Sequence, residues 1–293
     1  MVHTTRDRVF ALMAPVFWSI TGVTIRFIDS ANEWQINFYR STTLGLFVLA
    51  LLLVRYRTKT FKIITSTGGV GIWAGVFVGS AMICNIVALT HTTVANAVLL
   101  MASGPIFAAV LGWILLRETV TKTTWIAIIL ALAGIAIMVG GDLHTGGLLG
   151  DIVALIGVAF FGAYAIALRY GQHTDMTPAV LYAGIFGALV GGSVSSLTGV
   201  GLSAPIGDIG LCAMLGIFQL GIGSVLFALA AHSVPAVELT LYALGEPILA
   251  PIWTWIGVGE VPAVATLIGG TIMLSALLLH VLGLRQRTKY KTD

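Results

Sequence analysis

The sequence predicts an all-α membrane protein of ten transmembrane helices, arranged as two inverted five-helix repeats. Three observations carry this. Of the 293 residues, 58% are hydrophobic and 9% charged, against roughly a quarter charged in soluble domains, so the chain cannot cover a water-facing surface. Apolar runs of about 20 residues, the length that crosses a bilayer as a helix, recur ten times. Finally, the second half of the chain repeats the pattern of the first.

In chain order the spans are 9–28, 34–54, 70–90, 93–116, 123–141, 150–170, 178–198, 208–231, 235–258 and 262–283. Span 1 follows Arg6 and Arg8 but is long for the apolar core of a signal peptide. Span 2 ends in Arg55, Arg57, Lys59 and Lys62. Arg117 and Lys122 follow span 4, Arg169 closes span 6, and Arg285, Arg287, Lys289 and Lys291 follow span 10. Of the 15 Lys and Arg, only Arg26 and Arg40 fall elsewhere. The alternate loops hold Asp29, Glu33, Asp142, Asp151, Asp208 and Glu260, and no lysine. Basic loops stay cytoplasmic, so both termini are expected on the cytoplasmic side of an inner (plasma) membrane. Cys84 and Cys212 lie inside apolar runs, which speaks against a disulfide framework or a cysteine metal site. No cofactor or metal is expected. The expected partners are a small-molecule substrate and the lipid bilayer. Nothing points to nucleic acid, and oligomeric state is left open, a monomer included.

The repeat is legible in two places. Residues 11–27 (ALMAPVFWSITGVTIRF) lie over 154–170 (ALIGVAFFGAYAIALRY), matching Ala11 with Ala154, Leu12 with Leu155, Phe17 with Phe160 and Arg26 with Arg169. Span 4 lies over span 9 with Pro105 on Pro247, Ala108 on Ala250, Trp113 on Trp255 and Glu118 on Glu260. Five spans per copy is odd, so the second copy (142–293) enters the membrane opposite to the first (1–141). Inverted repeats are the architecture of many secondary transporters, with the site between the halves.

Two five-helix halves, NFYRSTTLGLFVLALLL in span 2, ASGPIFAAVLGWILLRE in span 4 and LGEPILAPIWTWIGVGE in span 9 resemble the drug/metabolite transporter superfamily and its ten-helix EamA-type exporters. Within that group the chain is similar to the YddG-type exporters of aromatic and other neutral amino acids. The resemblance implies that spans 1–4 and 6–9 surround a central cavity and that spans 5 and 10 are peripheral. Two positions depart from the family pattern. Glu238 stands where a small residue is usual, and span 4 ends in Arg117-Glu118 rather than Gly-Glu.

Span 9 carries unusual chemistry. Pro247 and Pro251 each remove an amide hydrogen and crowd the carbonyl four residues back, and Pro105 does the same in span 4. Freed backbone at this depth survives only inside protein or against a wet cavity. A structural kink is the plainer reading. Glu246 falls near mid-membrane, where a charge costs on the order of 3 kcal/mol. It suits an ammonium or a proton, or else packs as part of the Glu-Pro motif. Glu238 lies about two turns away on the same broad face. Arg40, the basic residue well inside a span, is placed roughly 10 Å deep. It can grip a carboxylate, snorkel outward, or pair with Glu33 or Asp29.

Asn85, Asn96 and Gln219 are uncharged polar groups at cavity depth that could equally be interhelical glue. Trp18, Tyr164 and Tyr242 sit away from span ends, unlike Trp34, Trp73 and Trp125. Aromatic walls with a few polar groups suit an organic solute. The substrate contacts expected are therefore Trp18, Asn85, Asn96, Tyr164, Gln219, Tyr242 and Glu246, with Arg40, Glu238, Pro105 and Pro247 as coupling or gating positions. Gly71, Gly75 and Gly79, then Gly187, Gly191 and Ser195, form small-residue faces expected to pack within the chain. No nucleotide-hydrolysis motif is present. These readings converge on a secondary transporter that exports amino acids and related metabolites, and on a chain that is not an enzyme. A sugar-nucleotide or drug carrier of the same superfamily is the rival. An intramembrane serine enzyme using GGSVSS (191–196) is more remote.

Overall fold

The computed structural model describes residues 2–92, 100–118, 120–139, 147–259, 261 and 263–289, and among these every regular element is helical. Six helices are long and apolar enough to cross a membrane: Thr5–Ile25, Glu33–Ser66, Gly68–Ala88, Leu148–Tyr170, Thr177–Leu197 and Ile206–Ala230. They are spans 1, 2, 3, 6, 7 and 8. Spans 5 and 10 are the helices Lys122–Val139 and Val264–Lys289. Span 4 is described from residue 100 onward and, like span 9, is interrupted.

The helix of span 1 begins at Val2, earlier than the apolar run. Its polar start is anchored because buried Asp7 accepts a 2.5 Å hydrogen bond from Ser233 in the turn between spans 8 and 9. The same helix pauses at Ser19–Ile20 and resumes as Thr21–Ile25. Span 2 starts with a capping box, in which Asn32 accepts from the Trp34 and Gln35 amides while the Gln35 side chain accepts from the Asn32 amide. These bonds satisfy donors that the first helical turn would otherwise orphan.

Helix pairing follows the exchange of each span for the one five places on. Spans 2 and 7, 5 and 10, and 4 and 9 pack on their own counterparts, while the pairing of 3 with 6 is mirrored by 8 with 1, and that of 4 with 6 by 9 with 1. Local bonds keep the same register. Asp175 accepts from the Thr177 amide at the start of span 7, where the alignment of Arg26 with Arg169 places it over the cap Asn32. The Thr92–Asp151 bond (2.6 Å) at one end of the bundle resembles Ser233–Asp7 at the other, one residue out of that register.

Close backbone approach explains the small-residue faces. A Cβ at Gly75 would meet the Ala179 carbonyl at 2.7 Å, and one at Gly191 would meet the Phe38 nitrogen at 2.8 Å. The stripes thus pack spans 3, 7 and 2 together within the chain, although Gly71 faces Thr67 of its own segment. Spans 2 and 7 also cross closely: a Cβ at Gly184 would come 2.6 Å from the Gly45 nitrogen. Backbone cannot swing aside as a side chain can. Gly184→Val is therefore expected to destabilise the protein by about 1–3 kcal/mol, read as a lower melting temperature of the detergent-purified protein.

Candidate functional site

The interruptions in spans 4 and 9 occupy related positions. Span 4 turns at Ala102–Ser103 and restarts as Gly104–Leu111, with Pro105 in its first turn. Span 9 runs Ala236–Ala243, turns at Leu244 and restarts as Gly245–Val258. Pro247 lies in the first turn of the second segment, so its missing amide leaves the helix broken beside Ala243. Pro251, by contrast, is carried inside an unbroken helix. The two spans end alike. Arg117 caps span 4 at φ 55° and Gly259 caps span 9 at φ 74°, both left-handed. Glycine adopts this conformation without penalty and arginine does not, which accounts physically for a Gly-Glu ending and marks Arg117 as a strained substitute.

Glu246 is in the first turn of the restarted helix, where the helix dipole favours negative charge. It is only partly buried although it lies mid-span. Its segment packs on span 1, and a Cβ at Gly245 would lie 3.1 Å from the Pro15 ring. Trp253 of the same helix donates to Ser19 Oγ (2.8 Å), tying it to the pause in span 1.

Next to this contact, Trp18 and Tyr164 are drawn into one aromatic cluster by two rings the sequence reading did not select. Trp18 packs on Phe161 (centroids 5.9 Å apart) and Phe227 (5.2 Å), and Tyr164 stacks on Phe227 (5.8 Å, 16° between planes). Phe161 sits where the repeat alignment puts the counterpart of Trp18, so the register held a signal for it. Trp18 Nε1, Tyr164 Oη and Gln219 Oε1 are buried with no hydrogen-bond partner among the described residues. Buried polar atoms without partners are uncommon. Gln219 belongs to the π-helical stretch Leu215–Ile222 of span 8, a distortion frequent at functional sites. It is the polar member of an otherwise apolar cleft of about 310 Å³ between spans 1 and 8, alongside Phe17, Ile20 and Met214.

The other expected contacts lie apart. Asn85 donates to Met101 Sδ (3.3 Å), joining spans 3 and 4. Tyr242 is fully buried, within electrostatic reach of Glu238 and Arg8. Glu238 is itself buried in the first segment of span 9. Asn96 lies outside the described residues. Arg40 neither snorkels nor pairs with Glu33 or Asp29: it is 3% exposed, and the one hydrogen bond of its side chain among the described residues goes to Asn37 Oδ1 (3.3 Å). Nearby Asp208 instead accepts from the Ser30 and Ala31 amides. Ser195 and Ser196, the serines imagined as a nucleophile, bond the carbonyls of Gly201 and Gly192.

At the basic end of the bundle, polar contacts cross between the halves. Arg169 Nε donates to Glu118 Oε1 (2.9 Å), and its Nη1 donates to Gln172 and to the His232 carbonyl (3.2 Å). Arg55 pairs with Asp175 at 3.5 Å, and Tyr56 donates to the same carboxylate. Arg169 and Glu118 are the residues that the repeat aligns with Arg26 and Glu260, and Glu260 lies outside the described residues.

Comparison with known proteins places this geometry. Residues 8–140 and 148–282 each match the EamA-like transporter family. The uncharacterized transporter YwfM of Bacillus subtilis (strain 168) is 25% identical over 291 residues, covering 92% of both chains. The uncharacterized transporter YdfC of the same organism is 27% identical over 223 residues, 73% of this chain and 71% of that one. A solved crystal structure superposes with a TM-score of 0.83 over 95% of this chain and 98% of the other at 16% identity, a likeness of fold alone.

Proposed function

The chain belongs to the EamA-like transporter family and is a membrane transporter; we propose that it exports small organic solutes, foremost amino acids with aromatic or other neutral side chains, by alternating access. The observation that carries this reading is the setting of Glu246. A partly exposed carboxylate stands at the break in span 9, and span 1 beside it leads to buried rings whose polar atoms lack partners. A carboxylate suits an ammonium group, and aromatic faces suit both a cation and an apolar side chain. Trp18, Tyr164, Gln219 and Glu246 would form the body of the site, with Asn85, Asn96 and Tyr242 at its margins. Pro105 and Pro247 would be the joints that let spans 4 and 9 rearrange.

In this reading the repeats divide near residues 141 and 142, and both termini are cytoplasmic in the inner membrane, as the basic loops imply. The Arg169–Glu118 pair then latches the cytoplasmic end, and the repeat register assigns Arg26 and Glu260 the same office at the outer end. A sugar nucleotide carries several negative charges, whereas Arg40 is the one buried basic side chain among the described residues. A cationic drug would be held by Glu246 alone.

Titrating purified protein with L-phenylalanine, a cationic dye and a sugar nucleotide separates these cargoes. Saturable binding of phenylalanine, with the sugar nucleotide inert, is expected. Binding of the sugar nucleotide without phenylalanine would overturn the assignment.

A further inference from the structure

We propose that Arg40 and Asn37 form a carboxylate-binding subsite, so that the cargo is a zwitterion held by its two charges. The inference rests on Glu246 as the ammonium end and adds the opposite end. Asn37 is 0% exposed and Arg40 nearly so. Arg40 Nη2 donates to Asn37 Oδ1 at 3.3 Å, while Arg40 Nε and Asn37 Nδ2 have no acceptor among the described residues. Neighbouring residues on one helix therefore present a guanidinium and an amide, each with a donor left over. Unpaired buried charge is strongly unfavourable unless something supplies the partner.

The packed elements supply none. Span 8 brings Cys212 and Gly216 against Arg40, and a Cβ at Gly216 would lie in contact with the Arg40 carbonyl. Glu246 is within electrostatic reach of the guanidinium, yet no ion pair joins Arg40 to any described carboxylate. Opposite charges in an apolar interior attract strongly. A molecule carrying an ammonium and a carboxylate would satisfy both.

The donor set selects the ligand chemistry. A guanidinium and an amide N–H suit the two oxygens of a carboxylate. A phosphate shares that chemistry, but Glu246, within electrostatic reach of Arg40, opposes a second negative charge. The subsite thus distinguishes an amino acid from an amine or a cationic dye, which Glu246 alone would accept.

The test compares four probes on purified wild-type protein and on Arg40→Gln: L-phenylalanine, L-phenylalaninamide, 3-phenylpropionate and inorganic phosphate. The wild type is expected to prefer phenylalanine over its amide by roughly tenfold to a hundredfold, the range for a hydrogen bond to a charged group. Arg40→Gln should erase that preference while leaving phenylalaninamide binding unchanged. Should Arg40→Gln fail to fold, Asn37→Ala is expected to narrow the same preference.

Equal wild-type affinity for phenylalanine and its amide would overturn the subsite and leave the Glu246 reading intact. So would a preference that survives Arg40→Gln. Phenylpropionate binding that depends on Arg40, with no phenylalanine binding, would uphold the subsite and overturn the amino-acid reading. Arg40-dependent binding of phosphate alone would replace the carboxylate with a phosphate ligand.

Discussion

Glu246→Gln is expected to reduce export in proteoliposomes by roughly tenfold to a hundredfold, the worth of a charge-assisted hydrogen bond, without unfolding the protein. Glutamine keeps the shape of the side chain. It removes the negative charge that the break in span 9 places mid-span and leaves partly exposed. Holding a charge there costs on the order of 3 kcal/mol, so the neutral variant should be at least as stable as the wild type by thermal unfolding. Loss of transport with stability retained is the signature of a group kept for function. Glu238→Gln supplies the control. Glu238 is buried in the first segment of span 9, so its substitution should shift the melting temperature more than the transport rate. Unaltered export by Glu246→Gln would remove Glu246 from the site.

Reversing the latch charge should have the second largest effect. Arg169→Glu places a carboxylate beside Glu118 and removes the bonds to Gln172 and the His232 carbonyl. Both partners of the ion pair are partly exposed, so the pair itself contributes modestly to stability, within about 1 kcal/mol. In the proposed mechanism its leverage is on the equilibrium between conformations, because it joins span 4 of one half to span 6 of the other. Repulsion in place of attraction is expected to slow export by about tenfold, the effect of some 1.4 kcal/mol on that equilibrium. The double variant Arg169→Glu/Glu118→Arg should recover most of the rate. Failure of the double variant to recover, with normal folding, would show that the contact does not act as a latch.

Much of the fold was legible because the bilayer imposes a simple code. Apolar length marked the spans. The proline-to-glutamate register of spans 4 and 9 marked the repeat, and in the structure both spans break beside those prolines. The candidate site was harder to read. Trp18 and Tyr164 were selectable as aromatics away from span ends, but a ring packed in an apolar helix looks the same in sequence whether it lines a site or fills a core. Phe161 and Phe227 carry no such mark of their own, although the repeat places Phe161 over Trp18. Asn37 went unseen because its role depends on where the Arg40 side chain turns. The pause in span 1 at Ser19–Ile20 was hidden too. No proline or charge marks it, and the Trp253–Ser19 bond appears only once spans 1 and 9 are packed together.

The most direct test of the central claim, that two inverted halves enclose a wetted path centred on the break in span 9, is thiol labelling at that break. Cys84 and Cys212 are replaced by alanine and Ala243→Cys is introduced. A membrane-impermeant reagent is then applied to each face of oriented proteoliposomes. Labelling from both faces, with phenylalanine shifting the balance between them, is the result predicted. A thiol that resists aqueous reagent from both sides, or reacts from one side alone whatever the cargo present, would contradict it.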